Sequence, residues 1–253
     1  MSEGFETTLD AFLGGQVMLE QPAKGYRAGI DPVLLAASVP ANDGQSVLEL
    51  GCGTGAAMLC LGSRVHRLTL CGAEIQPHYA DLCRKNAAAN GIEAQVSTAD
   101  LRVLPQDITA RTFDHVITNP PYFERTAGKA SPRADRDIAF AGDTPMKDWL
   151  DVATRRLKPK GWLSMIQKAD RLPDVLNAID TRLGDIAVYP ISGRINRAAD
   201  RFILRARKGA RGPFKLHAPI ALHEGASHVN DQPDYRAEIA GVLRKGLAFE
   251  LPD

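Results

Sequence analysis

Asn119, Pro120, Pro121 and Tyr122 bring two hydrogen-bond acceptors and an aromatic ring together at one turn. The Asn119 side-chain oxygen and the Pro120 carbonyl can each accept an N–H bond, and the prolines restrict the carbonyl direction because their rings fix φ. Two such bonds favour a nitrogen with an available lone pair, and the ring of Tyr122 suits stacking of a planar base. The turn could therefore bind a planar amine. The alternative is an ordinary turn, since Asn-Pro is a common turn dipeptide.

Three glycines, Gly51, Gly53 and Gly55, follow a strand-like apolar run and precede a helix-like one. Glycine permits a tight turn and close ligand approach, and the N-terminus of the following helix offers free N–H groups. Glu74 and Asp100 end the next two predicted strands, where carboxylates can hold ribose hydroxyls or contact an adenine ring. Ligand chemistry at three successive strand ends favours a nucleotide-type ligand over a plain strand-to-helix turn.

The elements that must position these residues alternate between strand and helix. Predicted strands cover residues 46–50, 67–75, 94–100, 113–119 and 162–168, and predicted helices cover 56–63, 78–91, 146–160 and 172–184. This alternation predicts an α/β fold with a mostly parallel sheet covered by helices on both faces. Two later strands, near 185–190 and 201–207, predict an antiparallel extension of that sheet.

The N-terminal part of the chain does not follow this alternation. A double glycine between apolar flanks predicts a hairpin or short irregular arm over residues 8–20. Asp31 as the N-cap and Pro32 at the first helical position predict a helix that begins there. We therefore expect an N-terminal cap or arm over residues 1–45, packed on a core domain over residues 46–253.

The composition is that of an ordinary globular protein, with 253 residues, 44% hydrophobic residues and a net charge of +1. The start has no signal-peptide pattern, and no apolar run is long enough to span a bilayer, so we expect a cytoplasmic protein. The cysteines form no Cys-x-x-Cys pair, and His217, His223 and His228 are irregularly spaced. Reduced thiols and no metal site are the expectation.

Basic residues cluster in two segments and predict an RNA partner. One cluster follows Tyr122 directly, and the other lies in the C-terminal part of the chain. The predicted RNA-binding residues are Arg125, Lys129, Arg133, Arg194, Arg197, Arg201, Arg205, Lys208 and Arg211. Contacts of these side chains with phosphates would supply affinity without sequence information. The alternative is a solvated charged face, because the overall charge is near zero.

Glu49 and the three glycines lie in Glu-Leu-Gly-Cys-Gly-Thr-Gly, which resembles the S-adenosylmethionine-binding motif of Rossmann-like class I methyltransferases. Its Gly-x-Gly-x-Gly spacing differs from that of dinucleotide enzymes, and no Tyr-Lys or His pattern supports the weaker alternative of an NAD-dependent reductase. The resemblance implies S-adenosylmethionine as cofactor, with Glu74 on the ribose and Asp100 on the adenine amine. Asn-Pro-Pro-Tyr resembles the motif of methyltransferases that act on adenine N6, guanine N2 or a glutamine side-chain nitrogen.

These motifs and the stretch over residues 13–37 resemble the tRNA1(Val) adenine N6-methyltransferase family through nearly the whole chain. The resemblance implies a tRNA partner and a catalytic role for Asn119, Pro120 and Tyr122. The implied cofactor-binding residues are Tyr26, Asp31, Glu49, Gly51, Gly53, Gly55, Glu74, Asp100 and Asn119. The implied segment that folds over the cofactor contains Gln21, Gly25, Tyr26, Arg27 and Asp31.

Other acceptors stay open at this stage. The glutamine methyltransferases of release factors share the motif but usually carry a separate helical domain, for which residues 1–45 leave little room. Guanine N2 enzymes of rRNA more often have Phe at the position of Tyr122 and a duplicated domain. A third alternative is an RNA-binding protein that keeps the fold with little activity. The sequence does not determine the oligomeric state.

Overall fold

A computed structural model describes residues 6–122, 144–225 and 234–252. In these ranges nine strands form one large sheet, and a hairpin of β1 (Thr7–Phe12) and β2 (Val17–Pro22) forms a separate small one. The strands of the large sheet are β3 (Ser46–Leu50), β4 (Thr69–Glu74), β5 (Ala94–Thr98), β6 (Phe113–Thr118), β7 (Leu157–Lys168), β8 (Leu183–Ser192), β9 (Arg201–Lys208), β10 (Lys215–Leu216) and β11 (Ile220–Ala221).

Helices cover both faces of this sheet. They are α1 (Ile30–Ser38), α2 (Ala56–Arg64), α3 (Pro77–Ala89), α4 (Gln106–Thr109), α5 (Met146–Arg156), α6 (Leu172–Ala178) and α7 (Ala237–Lys245). Within the three described ranges, none of the helices has the length and apolar character needed to cross a membrane.

The strand order is β10-β8-β9-β7-β6-β3-β4-β5, with β11 also pairing with β8. Strands β3 to β7 run parallel, whereas β9 is antiparallel to both β7 and β8. The predicted fold class is therefore confirmed, including the antiparallel extension. The chain moves outward in one direction from β3 to β5 and in the other from β6 onward. The carboxyl ends of β3 and β6 thus meet at a switch point, where α/β proteins form their ligand sites.

Strand β3 shows why the sequences of the central strands are continuous apolar runs. Val47 belongs to the apolar cluster that includes buried residues of α1 and α2, while Leu48 and Leu50 belong to the cluster around α5. Both faces of the strand are buried, so polar alternation is absent. The same geometry aims Glu49 at the α2 side, beneath the turn that follows the strand.

The predicted hairpin over residues 8–20 is confirmed, and two asparagines of α3 attach it to the core. Asn86 Oδ1 accepts the backbone N–H of Glu20 at 2.8 Å, and Asn90 Oδ1 accepts that of Met18 at 2.8 Å. The side-chain amides also donate to the backbone carbonyls of the same two residues. Each amide thus pairs both backbone groups of one residue of β2, which replaces a neighbouring strand on that edge.

The predicted start of α1 was wrong. The helix begins at Ile30 with Gly29 as its N-cap, and no side chain caps it. Asp31 lies inside the first turn, and Pro32 follows it there. Because the carboxylate of Asp31 is engaged elsewhere, as described below, it does not accept a bond from the helix end.

The predicted end of α5 was also wrong. The helix ends at Arg156 and β7 begins at once with Leu157, four residues before Gly161. Pro159 explains the difference, because a proline disfavours the helical conformation of its preceding residue and lacks the N–H that a helix needs. The β6–β7 pairing is irregular at this point, since its register shifts between Phe113 and His115.

Asp114 joins three of the strands that carry the site. Its carboxylate accepts the backbone N–H of Ser46 on β3 at 2.9 Å and the Lys158 ammonium on β7 at 2.8 Å. Burial alone would raise the pKa of the Asp114 carboxyl, but the hydrogen bonds from Lys158 and Ser46 outweigh it and lower the pKa from 3.8 to about 2. This contact therefore stabilises the fold above pH 4 and is lost as the pH falls towards 2.

We expect Asp114→Asn to lower the free energy of unfolding by about 2 kcal/mol near neutral pH. The difference between the wild type and the variant should shrink steadily between pH 4 and pH 2, because the wild-type carboxyl becomes protonated there. Urea unfolding at several pH values measures this. A difference that stays constant down to pH 2 would contradict the assignment to this carboxyl.

Candidate active site

A cavity of about 800 Å³ opens at the carboxyl ends of β3, β4, β5 and β6. Its size matches sites for ligands of nucleoside dimensions. The lining includes most of the residues predicted for the cofactor and the target amine. They are Tyr26, Glu49, Gly51, Gly53, Glu74, Asp100, Asn119, Pro120 and Tyr122. Asp31 and Gly55 were predicted with them but do not line the cavity.

The glycine turn is held open by backbone conformation and by one carboxylate. Gly51, Gly53 and Gly55 have φ values of 68°, 53° and 90°, which side chains other than hydrogen rarely adopt. Glu74 accepts the N–H of Gly53 at 2.9 Å and that of Gln76 at 2.9 Å. A Cβ on Gly53 would meet no atom within 4 Å, so the backbone faces open space there. A ligand can therefore approach the turn closely.

The three acidic residues of the site differ in environment. Glu49 is buried and accepts the backbone N–H of Met58 at 3.0 Å, and burial raises the pKa of its carboxyl well above the ordinary value. Burial also raises the pKa of Glu74, although the hydrogen bonds that it accepts from backbone N–H groups lower the pKa in part. In contrast, a hydrogen bond from Arg102 lowers the pKa of Asp100, which is paired with that guanidinium at 2.6 Å. Asp100 thus presents a charged carboxylate at the cavity edge.

Asn119 follows β6 and lines the cavity. Its Nδ2 donates to the hydroxyl of Tyr26 at 3.5 Å. Its Oδ1 is buried and has no hydrogen-bond partner in the described part of the chain. Buried acceptors are almost always paired in folded proteins, so an orphaned amide oxygen beside a cavity fits an incoming N–H donor.

Tyr122 is held in place by a residue of α1. Its hydroxyl donates to the carboxylate of Asp31, which is also paired with Arg201 at 3.2 Å. Burial and the adjacent Asp31 carboxylate raise the pKa of Tyr122, so its hydroxyl stays neutral. The ammonium of Lys168 lies 5.3 Å from the ring centroid. The structure therefore places Asp31 at the hydroxyl of Tyr122, whereas the family resemblance implied that it contacts the cofactor.

Sequence reasoning missed two residues of this site. Gln167, on β7, donates from Nε2 to the carbonyl of Pro120 at 3.2 Å and is fully buried. Trp149, on α5, lines the cavity and packs against the glycine turn. Both lie far from the motifs in sequence, and one sequence offers no signal that separates them from ordinary core residues.

The segment between the hairpin and α1 forms one wall of the cavity, which residues 24–28 line. Gln21 fixes its geometry, because its Oε1 accepts the N–H of Ala28 at 2.7 Å and its Nε2 donates to Asp10 at 2.7 Å. The hydroxyl of Tyr79 donates to the carbonyl of Tyr26 at 3.1 Å. Gln21, Gly25, Tyr26 and Arg27 are thus brought together near the cavity.

The predicted RNA-binding residues do not lie in one place. Arg125, Lys129 and Arg133 fall outside the described residues. Arg194 is paired with Asp234, Arg201 with Asp31, and Lys208 donates to the carbonyl of Leu157. The guanidinium of Arg205 lies 4.6 Å from the centroid of the Trp162 ring. Arg197 and Arg211 are exposed, at opposite ends of β9, which spans about 25 Å. Their use as RNA contacts stays a prediction.

Gly51→Ala should disturb both the fold and the site. Its φ of 68° is strained for alanine, and the added Cβ would lie 2.7 Å from Cη2 of Trp149, which is buried. We expect a loss of about 2–4 kcal/mol in the free energy of unfolding, measured by urea denaturation. Gly44→Ala is the matched control, because its φ is 78° and no atom lies within 4 Å of the added Cβ. Equal losses in the two variants would exclude the contact with Trp149 as the cause.

The comparisons with known proteins agree with this geometry. Residues 28–188 match the methyltransferase small domain family. A tRNA1(Val) (adenine(37)-N6)-methyltransferase of Porphyromonas gingivalis is 29% identical over 200 residues, which cover 72% of this chain and 76% of that protein.

Two solved structures share the fold. A predicted O-methyltransferase of Agrobacterium tumefaciens has a TM-score of 0.70 and 23% identity, covering 87% of this chain and 98% of that one. A Thermus thermophilus 16S rRNA N2 G1207 methyltransferase, solved with S-adenosylmethionine and guanosine, has a TM-score of 0.53 and 21% identity. The match covers 80% of this chain and 50% of that one.

The fold and the site define a methyltransferase of class I architecture, and the structure solved with S-adenosylmethionine shares that fold. The residues present fit that cofactor, since a glycine turn with exposed backbone and two carboxylates at successive strand ends suit an adenosyl group. The chain belongs to the methyltransferase small domain family.

Proposed function

We propose that this enzyme methylates an adenine N6 in tRNA. The observation that carries the proposal is the buried, unpaired Oδ1 of Asn119, a residue that lines the cofactor cavity together with Pro120. Two acceptors at that position suit an exocyclic amine, which has two N–H bonds to donate. The relatives named tRNA1(Val) (adenine(37)-N6)-methyltransferase support adenine as the acceptor base.

Residues on three strand ends would hold the cofactor. Glu74 would bind the ribose hydroxyls and Asp100 the adenine amine, while the backbone of the glycine turn would lie against the rest of the adenosyl group. Buried Glu49 supports the turn from below, through the N-terminal end of α2. Tyr26 and the segment around it would close over the ligand. When bound, S-adenosylmethionine supplies a methyl group activated by a sulfonium.

The chain itself orients the amine. Asn119 Oδ1 and the Pro120 carbonyl would accept its two N–H bonds, which directs the nitrogen lone pair towards the cofactor cavity. Tyr122 would stack on the base, and the bond from its hydroxyl to Asp31 holds the ring in position. The nitrogen becomes acidic once methylated, so no strong general base is required.

RNA contacts would surround this opening. Arg197 is exposed in the loop between β8 and β9, at the same end of the sheet as Asn119, where it could contact a phosphate. We assign residues 1–45 to a cap on the methyltransferase domain over residues 46–253. A tRNA substrate is consistent with a cytoplasmic location.

Purified protein, labelled S-adenosylmethionine and three parallel acceptors test the proposal. The acceptors are total tRNA lacking the modification, bulk rRNA and protein extract, each followed by nucleoside or amino-acid analysis. We expect label in tRNA as N6-methyladenosine. Label recovered in guanosine or in glutamine would keep the enzyme class and overturn the substrate. Cofactor binding without label in any fraction would favour an RNA-binding protein with little activity.

A further inference from the structure

We infer that Gln167 is a positioning residue for methyl transfer, acting through the Pro120 carbonyl. The inference rests on the proposed function in one respect, which is that the Pro120 carbonyl accepts a hydrogen bond from the target amine. Gln167 lies on β7, outside both sequence motifs, and its side chain is fully buried. Its Nε2 donates to the Pro120 carbonyl oxygen at 3.2 Å.

The orientation of the Gln167 amide is determined by its second bond. Its Oε1 accepts the backbone N–H of Lys168 at 2.8 Å. Reversing the amide would place oxygen against the Pro120 carbonyl oxygen and NH₂ against an N–H, so both contacts would become repulsive. The NH₂ group must therefore face Pro120. A side chain with two fixed bonds in the core has little freedom to move.

The position of Gln167 follows from the way the sheet ends. Strands β6 and β7 pair in parallel up to Thr118 and Met165. Continuing that register places Gln167 level with Pro120, just beyond the last paired residues. The peptide that follows the Pro120 carbonyl belongs to Pro121, which has no N–H. The Gln167 side chain thus supplies a donor where the backbone pairing has stopped.

This bond leaves the carbonyl suited to its proposed role. A carbonyl oxygen has two lone pairs, so one bond from Gln167 leaves the other for the target amine. Pro120 is buried. Without Gln167, its carbonyl oxygen would either turn towards another hydrogen-bond donor or remain unpaired. Gln167 therefore holds the acceptor in the direction that the amine needs before the amine arrives.

Gln167→Met tests this role, because methionine has a similar length and lacks both hydrogen bonds. The acceptor is the fraction that the wild type labels, whether tRNA, rRNA or protein. We expect kcat to fall by about 10- to 100-fold. The dissociation constant for S-adenosylmethionine and KM for the acceptor should each stay within about threefold, because Gln167 does not line the cavity.

Gln167→Glu supplies a readout that a purely structural role would not show. A protonated carboxyl can donate to Pro120 and still accept from Lys168, whereas the ionised form repels the carbonyl. Burial raises the pKa of such a carboxyl, so kcat relative to wild type should be highest at low pH and fall as the pH rises above that pKa. Gln167→Met should show no such pH dependence relative to wild type.

Ser164→Ala is the matched control on β7. Ser164 is fully buried and its Oγ has no partner in the described part of the chain, so removing the hydroxyl should leave kcat unchanged. Thermal unfolding establishes that each variant is folded. Wild-type kcat in folded Gln167→Met, or the same pH-independent loss in both Gln167 variants, would overturn the inference. A wild type that labels no fraction would overturn the proposed function, and this inference with it.

Discussion

Asn119→Ala is expected to lower kcat for methyl transfer by about 100-fold or more while S-adenosylmethionine binds almost as before. The substitution removes Oδ1, the unpaired buried acceptor beside the cavity, and leaves Pro120 alone to bond the amine. With only one hydrogen-bond acceptor, the second N–H of the amine is unbonded, and the direction of the nitrogen lone pair is no longer fixed. The rate of the chemical step should fall, because the bond that is lost forms only between Asn119 and the amine of the bound substrate.

Two measurements separate transfer from binding. Single-turnover methylation of the labelled acceptor fraction reports the chemical step, and calorimetric titration with S-adenosylmethionine reports cofactor affinity. Asn119 donates to Tyr26 at a distance of 3.5 Å, which is long for a hydrogen bond. Losing this bond should therefore change the position of Tyr26 in the cavity wall very little. Unchanged turnover in Asn119→Ala would refute the proposed mechanism.

Asn119→Asp is the matched control, because a carboxylate keeps an acceptor oxygen at the same distance from the backbone. It loses the NH₂ group, but the Tyr26 hydroxyl can donate to the carboxylate instead. We therefore expect a smaller loss than in Asn119→Ala. If the two variants lose activity equally, the oxygen is not the feature that matters at this position.

Glu74→Ala should weaken S-adenosylmethionine binding by about 10- to 100-fold, the second large effect that the structure predicts. The carboxylate accepts the N–H groups of Gly53 and Gln76, so its removal leaves both donors without that partner and loosens the glycine turn. The proposed bond to the ribose is lost as well. Calorimetric titration gives the dissociation constant, and kcat at saturating cofactor should change far less.

Two controls accompany Glu74→Ala. Glu74→Gln keeps one acceptor oxygen and should fall between the wild type and the alanine variant. Asp81→Ala removes a carboxylate from the exposed side of α3, where it is paired with Arg84, and should leave cofactor affinity unchanged. A Glu74→Ala variant that binds with wild-type affinity would exclude Glu74 from the cofactor site.

Together these variants separate the remaining interpretations of the site. An RNA-binding protein with a vestigial fold would be insensitive to Asn119→Ala in every assay, since it has no amine to orient. An enzyme that acts on guanine N2 or glutamine would show the same pattern of losses with a different labelled fraction. The acceptor is therefore decided by the product analysis, and the mechanism by the variants.

Local patterns in the sequence predicted most of the sheet and its turns. The alternation of apolar strands and helices predicted the central strands within a few residues, because burial on both faces leaves a continuous apolar run. The Gly-x-Gly-x-Gly spacing predicted a tight turn, and the structure forms that turn with positive φ at Gly51, Gly53 and Gly55, a conformation that glycine adopts without strain. Where local signals compete, as at Pro159 between α5 and β7, the predicted boundary was wrong.

The sequence by itself therefore determined the fold class and the residues at the carboxyl ends of β3, β4, β5 and β6, since the alternation of strands with helices and the chemistry of turns are local properties of the chain. Tertiary structure alone decided which side chains support them. Asp31 contacts Tyr122 and Gln167 contacts Pro120 across 91 and 47 positions of the chain. Such pairings depend on how α1 and β7 pack against the end of β6, and no pattern within either segment specifies that packing.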